Sequence, residues 1–304
     1  MIPKEILKKI RRIEITTSHL VTDVFAGQYH SVFKGQGIEF DEVREYNPGD
    51  DIRSIDWNVK ARTGTVHVKK YVEERELTVM VLVDASGSSY FGTVNQLKSS
   101  LAAEIAAVLA FSAIRNNDKV GLIIFSDGIE RFIPPRKGSR HVLRVIREIL
   151  YFKPKGKGTN IPAALDYLNK VTRHKTVSFL ISDFLQDEAG RRRDKNSKNP
   201  LKQTLVLANK RHDLIAITLN DPKEMALENS GLIILEDAET GKRVYIDSSD
   251  PRIRQEFAEI AKKRIQEREA LLNSVRVDRI DVATDKPYSQ ALVKFFKQRQ
   301  KRFR

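Results

Sequence analysis

The feature that most constrains this chain is the run Leu77 to Val83, apolar except for Thr78 and closed by Asp84-Ala85-Ser86-Gly87-Ser88. A run of this length without polar alternation predicts a strand buried on both faces, as in the middle of a parallel sheet covered by helices. The theme repeats downstream. Val94 to Ile114 has helical patterning. Val120 to Phe125 is strand-like, with Ile129 to Ile133 as a hairpin partner, and residues 139–152 return to helical spacing. Ile161 to Leu168 predicts a helix, Val177 to Ile181 a strand, residues 200–210 a helix opened by Pro200, and Asp213 to Leu219 a strand. Gly231 to Leu235 and Arg243 to Ile246, joined by a turn at Asp237 to Gly241, read as an edge hairpin. Pro251 to Leu272 predicts a long amphipathic helix, Val275 to Val282 a strand, and Ser289 to Phe303 a last helix. This alternation argues for an α/β fold with a doubly wound, mostly parallel sheet flanked by helices.

Upstream the character differs. Residues 4–20 predict a short helix, and residues 22–76 are glycine-rich with short alternating runs such as Thr65 to Val72, a small β-rich unit that must pack on the next domain. The expected organisation is therefore 1–76 as N-terminal helix and β-rich unit, 77–274 as the α/β domain, and 275–304 as a C-terminal strand and basic helix. Within 1–76, Glu42, Arg44, Glu45, Asp50, Asp51, Arg53 and Asp56 form a dense charged set, read as a network locking the unit in place or as a docking surface. Trp57 is expected in the core.

Composition narrows the function classes. With no cysteine, disulfide frameworks, thiolate metal sites and a cysteine nucleophile are excluded. Met1-Ile2-Pro3-Lys4 leads into a charged amphipathic stretch rather than an apolar signal segment, and no apolar run approaches the roughly 20 residues of a spanning helix. These features predict a soluble, cytoplasmic protein without a transmembrane segment. The net charge of +14 is concentrated: residues 131–212 hold 20 basic and 6 acidic side chains. Such a field could attract nucleic acid, an acidic protein surface or anionic lipid, or simply keep the surface solvated. No zinc finger or helix-turn-helix pattern accompanies it, and aromatics are not interleaved with it.

Ligands of open α/β sheets bind beyond the carboxyl ends of the strands. Three segments belong there: Asp84 to Ser88 after the first buried strand, Gly158-Thr159-Asn160 at a helix start, and Ser182-Asp183 after Val177 to Ile181. From them come two carboxylates, Asp84 and Asp183, and three hydroxyls, Ser86, Ser88 and Thr159. These are hard oxygen donors suited to Mg2+ or Mn2+, and less clearly to Ca2+. Gly87 is expected to permit the sharp turn that points Asp84, Ser86 and Ser88 into one crevice. So few carboxylates leave an ion undercharged, ready to attract an acidic sixth ligand from a partner. The alternative is that these are ordinary turn residues.

Asp-x-Ser-x-Ser, with a downstream Thr and a later Asp, resembles the metal-ion-dependent adhesion site of von Willebrand factor type A domains. By that resemblance Asp84, Ser86 and Ser88 form the first loop, Thr159 the second and Asp183 the third. Many such domains carry Asp-Gly in the third loop, whereas Phe184 follows Asp183 here. The segment from Gly35-Gln36-Gly37-Ile38-Glu39-Phe40-Asp41 to Asp50-Asp51-Ile52-Arg53-Ser54-Ile55-Asp56-Trp57, with Ala61-Arg62 and Asp285-Lys286-Pro287-Tyr288, resembles a bacterial family of von Willebrand factor A-like proteins of unknown function, commonly encoded beside MoxR-type AAA+ ATPases. The resemblance implies a von Willebrand factor A-like fold and a non-enzymatic, divalent-metal-dependent protein-binding scaffold or adaptor. It implies as partners a MoxR-type AAA+ ATPase and a client protein that offers an acidic residue to the metal, in chaperone-like assembly or maturation of other proteins.

Two rival functions are weighed against it. A metal held by Asp and Ser could activate water as a phosphoester hydrolase, but His30, His67, His141, His174 and His212 lie outside the three segments and His19 lies in the N-terminal helix. No Ser-x-x-Lys or Gly-x-Ser-x-Gly frames Ser86, and Lys155-Gly156-Lys157-Gly158-Thr159 lacks phosphate-loop spacing. A nucleic-acid-binding protein would rest on the basic stretch 131–212 alone.

Overall fold

The computed structural model describes residues 37–74, 76–92, 97–185 and 199–302. The helix expected over 4–20 and most of the basic run 189–200 lie outside the described residues.

The core is a six-stranded sheet in the order β10-β7-β6-β3-β4-β5. Its strands are β3 (Thr78–Asp84), β4 (Lys119–Phe125), β5 (Ile129–Arg136), β6 (Val177–Ser182), β7 (Asp213–Asn220) and β10 (Asp278–Ala283). All neighbours pair in parallel except β4 and β5. The arrangement is a mostly parallel sheet flanked by helices, preceded in the chain by a small antiparallel unit, as the strand–helix alternation predicts. As the apolar run predicts, Val79 to Asp84 are all buried.

Alternate side chains of β3 serve opposite faces, the period of a strand. Val79, Val81 and Val83 pack beneath α2 (Lys98–Arg115), α3 (Ser139–Tyr151) and α7 (Tyr288–Arg302). Met80 and Leu82 pack beneath α4 (Ile161–Val171), α5 (Pro200–Arg211) and α6 (Pro251–Ser274). The alanines of α2, Ala102, Ala103, Ala106, Ala107, Ala110 and Ala113, are buried. Small side chains on several faces let this helix sink into the layer between the sheet and its neighbours. Helix starts follow their capping residues: Asn160 accepts from the Ala163 amide, Asn199 from Lys202 and Asp250 from Arg252, each just ahead of a proline in the first turn.

The N-terminal unit pairs β1 (Gly37–Glu45) with β2 (His67–Glu74) around a short helix, α1 (Trp57–Thr63). Several of its described charges make local bonds. Arg44 makes a two-pronged ion pair with Asp50 at 2.7 and 2.9 Å, Asp51 caps a 3-10 turn, and Asp56 caps α1. Trp57 departs from expectation: it is 59% exposed, with the Lys60 ammonium 4.9 Å above its ring. As the first residue of a capped seven-residue helix it is turned outward, because the helix is fixed by Asp56 rather than by burial.

Two further boundaries differ. The last strand begins at Asp278, not Val275, because Val275 closes α6 and Arg276 takes a left-handed φ of 55° that breaks the extended run. The expected edge hairpin, β8 (Leu232–Glu236) with β9 (Arg243–Asp247), does not extend the main sheet; it forms its own two-stranded sheet. Its strands are short apolar runs, Leu232 to Leu235 and Val244 to Ile246, and Leu232, Ile234 and Tyr245 project outward.

Candidate metal centre

The sheet reverses its winding between β3 and β6: the chain leaves β3 for β4 on one side and returns to β6 on the other. A crevice at the carboxyl ends of such strands is where α/β sheets bind ligands. The three loops identified from the sequence meet there.

Asp84 ends β3, and its fold-back is fixed by local bonds. Its Oδ1 accepts from the Ser86 amide at 2.9 Å, and its carbonyl accepts from the Ser89 hydroxyl at 2.9 Å. The hydroxyls of Ser86 and Ser88 lie 3.0 Å apart, both buried. Gly87 sits in a 3-10 turn without a left-handed φ, so the turn itself does not require glycine. The requirement is space: a Cβ on Gly87 would lie 2.3 Å from the carbonyl oxygen of Ala238, on the connection between β8 and β9.

The second loop is tied to the first by the Gly87 amide, which donates to the Lys157 carbonyl at 2.7 Å. It is shaped by two acids that no sequence motif singles out. Glu130 accepts from the amides of Lys155 and Gly156, both at 2.9 Å, and Asp127 accepts from Lys157 at 3.0 Å. The Gly156 amide is the leading reason the Glu130 carboxyl is held below the usual range. Amides that could otherwise cradle a phosphate are thus taken by carboxylates. Gly158 permits this wrap, since a Cβ there would fall 2.2 Å from Asp127 Oδ1. The loop delivers Thr159, whose hydroxyl donates to Glu239 Oε1 at 2.8 Å.

The third loop joins the first through Ser182, whose hydroxyl donates to Asp84 Oδ2 at 2.6 Å and accepts from the Phe184 amide at 3.0 Å. Both oxygens of Asp183 are engaged: Oδ1 by the Leu185 amide and Oδ2 by the Lys98 ammonium, each at 3.0 Å. The position where many von Willebrand factor A domains carry glycine is filled by Phe184 in glycine's conformation, φ 58°, with its ring in the core beneath the sheet. That burial holds a bulky residue in a left-handed backbone that ordinarily costs about 1–2 kcal/mol.

Burial, and then the neighbouring Asp183 carboxylate, push the Asp84 carboxyl up to about 7, against the opposing bonds from Ser182 and Ser86. Lys98, at the first turn of α2, is a positive charge that sequence reasoning missed. Its side chain is 1% exposed and pairs with both Asp183 and Glu224, the latter at 2.5 Å. Burial alone would lower the ammonium's pKa, but the two carboxylates outweigh it and raise it. Arg268 of α6 closes this side, donating to the Asp183 carbonyl at 2.9 Å and to Asn220 Oδ1 at 2.8 Å. A lysine among the first residues of an apolar helix carries no sequence signal for such a role, because its partners come 85 and 126 positions later.

Among the described residues, no group of three or more His, Cys, Asp or Glu side chains is placed to hold a metal ion. The donors here are of another kind: one buried strand-end carboxylate beside two touching hydroxyls, with a second carboxylate behind. That set fits a small hard cation. Ser86 and Ser88 could ligate directly, and Asp84 and Asp183, whose oxygens all already accept bonds, directly or through water.

Residues 42–267 match the family described as protein of unknown function DUF58. The chain belongs to this family. Within the wider set of relatives, the uncharacterized protein Rv1480 of Mycobacterium tuberculosis is 30% identical over 294 residues, covering 96% of this chain and 89% of its own length. Among solved structures, the conserved hypothetical protein BatB from Bacteroides thetaiotaomicron aligns with 16% identity and a TM-score of 0.45, covering 74% of this chain and 99% of that one. An aerotolerance-related membrane protein from Bacteroides fragilis aligns with 15% identity and a TM-score of 0.47, covering 74% and 99%. In this DUF58 chain no helix among the described residues is long and apolar enough to cross a membrane.

Proposed function

We propose that this protein is a non-enzymatic, divalent-metal-dependent protein-binding scaffold. Mg2+, or Mn2+ or Ca2+ in its place, would be held by Asp84, Ser86, Ser88 and Thr159, with Asp183 behind, and an acidic side chain of a client protein would complete the shell. The von Willebrand factor A-like fold is often used as a protein-interaction module. The observation that carries the reading is the convergence at one crevice: Ser86 and Ser88 hydroxyls 3.0 Å apart beside Asp84, and Asp84 linked to the third loop through Ser182 at 2.6 Å. The partner reading, a MoxR-type AAA+ ATPase acting with this chain in assembly or maturation of other proteins, rests on the resemblance of residues 35–57, with Ala61-Arg62 and Asp285 to Tyr288.

Among the described residues, the places of His141 and His212 favour a scaffold over a hydrolase. His141 bonds the carbonyl of Val120 at the start of β4, and His212 precedes β7, both at the amino ends of the strands, away from the crevice. Ser86 is partnered by a second hydroxyl rather than a base. The test is isothermal titration with Mg2+ and Mn2+, wild type beside Asp84→Ala. Binding in the wild type that is lost in the variant is the expected result. Equal binding in both refutes the assignment of this crevice.

A further inference from the structure

One acidic side chain already stands at the crevice. Glu239 reaches it from the connection between β8 and β9, accepting from the Thr159 hydroxyl at 2.8 Å. The tip that carries it is stiff. Asp237 Oδ1 accepts from the amides of Glu239 at 3.0 Å and Thr240 at 2.7 Å, and the Gly241 amide returns to the Asp237 carbonyl at 2.7 Å. Gly241 takes a φ of 70°, which lets the turn close. The same tip seats the Ala238 carbonyl against Gly87, between the two serines of the first loop. Backbone and carboxylate of one turn therefore press on the first and second loops together.

The rest of the hairpin is a self-contained pair of strands. It pairs only with itself, and Leu232 and Tyr245 are 72% and 68% exposed. Its base is fastened at Ser248, which is buried: its amide and hydroxyl both donate to the Gly231 carbonyl, at 2.8 and 2.7 Å, and Arg254 holds the Ser248 carbonyl at 2.6 Å. Gly231, at φ 75°, is the pivot on the other strand. A fastened base, a self-contained body and a tip resting on the crevice describe a tethered arm.

We infer that Glu239 is a built-in acidic ligand of this site, occupying the seat that an Asp or Glu side chain of a partner takes when it displaces the β8–β9 hairpin. The inference rests on the metal-dependent binding proposed above. A carboxylate tethered this way acts at an effective concentration of about millimolar or more, so a partner carboxylate present below that concentration displaces it when the partner adds contacts elsewhere. Weak or chance acidic surfaces are thereby rejected, and the displaced hairpin offers its apolar face to the partner that succeeds.

The test uses Mn2+ as probe on the full chain, wild type beside Glu239→Ala, by isothermal titration with and without about 100 mM acetate, well above that tethered concentration. Loss of this ligand is expected to weaken Mn2+ binding about ten-fold, within the range for removing a group that supports a metal. Acetate, filling the vacated seat, is expected to restore most of it in Glu239→Ala and to leave the wild type unchanged. Hydrogen exchange of the amides in 232–247 supplies a readout independent of metal. It should accelerate several-fold in the variant, and slow in the wild type when Mn2+ is added. Wild-type Mn2+ binding that Glu239→Ala leaves unaltered, with unchanged hairpin exchange and no acetate effect, overturns the inference and leaves the metal reading standing. Absence of Mn2+ binding in the wild type overturns the metal reading itself, and the inference with it.

Discussion

Replacing Lys98 by Met isolates what the buried ammonium does. Methionine keeps the length and apolar stem of the lysine, so the variant removes a charge without opening a large cavity. Two carboxylates then lose their counter-ion: Asp183, whose side chain is 4% exposed, and Glu224, 26% exposed. Breaking a buried ion pair by removing one partner typically costs about 3–5 kcal/mol, because the survivor stays buried and uncompensated. Relief of the lysine's own desolvation opposes this, so the lower end, about 3 kcal/mol, is expected. With a urea dependence of about 3 kcal/mol per molar, the unfolding midpoint should fall by about 1 M. Equilibrium unfolding followed by far-UV circular dichroism in the presence of chelator measures it without interference from bound cations. The double variant Lys98→Met/Asp183→Asn should recover more than 1 kcal/mol, since the stranded charge is gone, and the resulting cycle gives the coupling directly. A single variant within about 0.5 kcal/mol of the wild type, the range of an ordinary surface substitution, would refute the reasoning.

Two further perturbations test other parts of the structure. His212 is buried and pushed down to about 4, by burial first and then by the Arg211 charge; its Nδ1 faces the Thr176 amide at 3.3 Å, which can only donate. Between pH 4 and 6.5 the unfolded chain therefore binds the extra proton, so stability is full above about pH 6.5 and lost as pH falls, by about 2 kcal/mol at pH 5. Urea midpoints at pH 7.5 and 5 should show this slope, and His212→Asn should flatten it. Phe184→Gly relieves a left-handed φ worth about 1–2 kcal/mol but empties a core position worth about 3–5 kcal/mol, so a net loss of about 2 kcal/mol is expected. Thermal unfolding checks it, and a stabilised variant would mean that backbone strain, not burial, dominates at this loop.

The sequence was most legible where a local pattern alone fixes the structure. A seven-residue apolar run can be little else than a strand covered on both faces, and the alternation downstream of it predicts the layers actually seen. Where local rules competed, it was less so. Val275 and Val277 look like strand residues, but a left-handed Arg276 between them ends the helix instead. Trp57 looks like core, but capping by Asp56 settles its short helix on the surface.

At the crevice the division has the same origin. Asp84, Ser86, Ser88, Thr159 and Asp183 were readable because each follows a strand or opens a helix, and strand direction sends all those ends to one edge of the sheet. Lys98, Glu224, Arg268 and Glu239 were not. Each reaches the crevice from an element whose own pattern says only helix, turn or hairpin, and its partners lie far away along the chain. Even Gly87, noticed for its flexibility, is needed for a different reason, the approach of the Ala238 carbonyl. Periodicity and turn chemistry act between near neighbours, so the sequence determined the sheet and the loops that carry the donors. Charge compensation and steric fit act through space, so only the tertiary structure decided which cation braces the crevice and which carboxylate rests upon it.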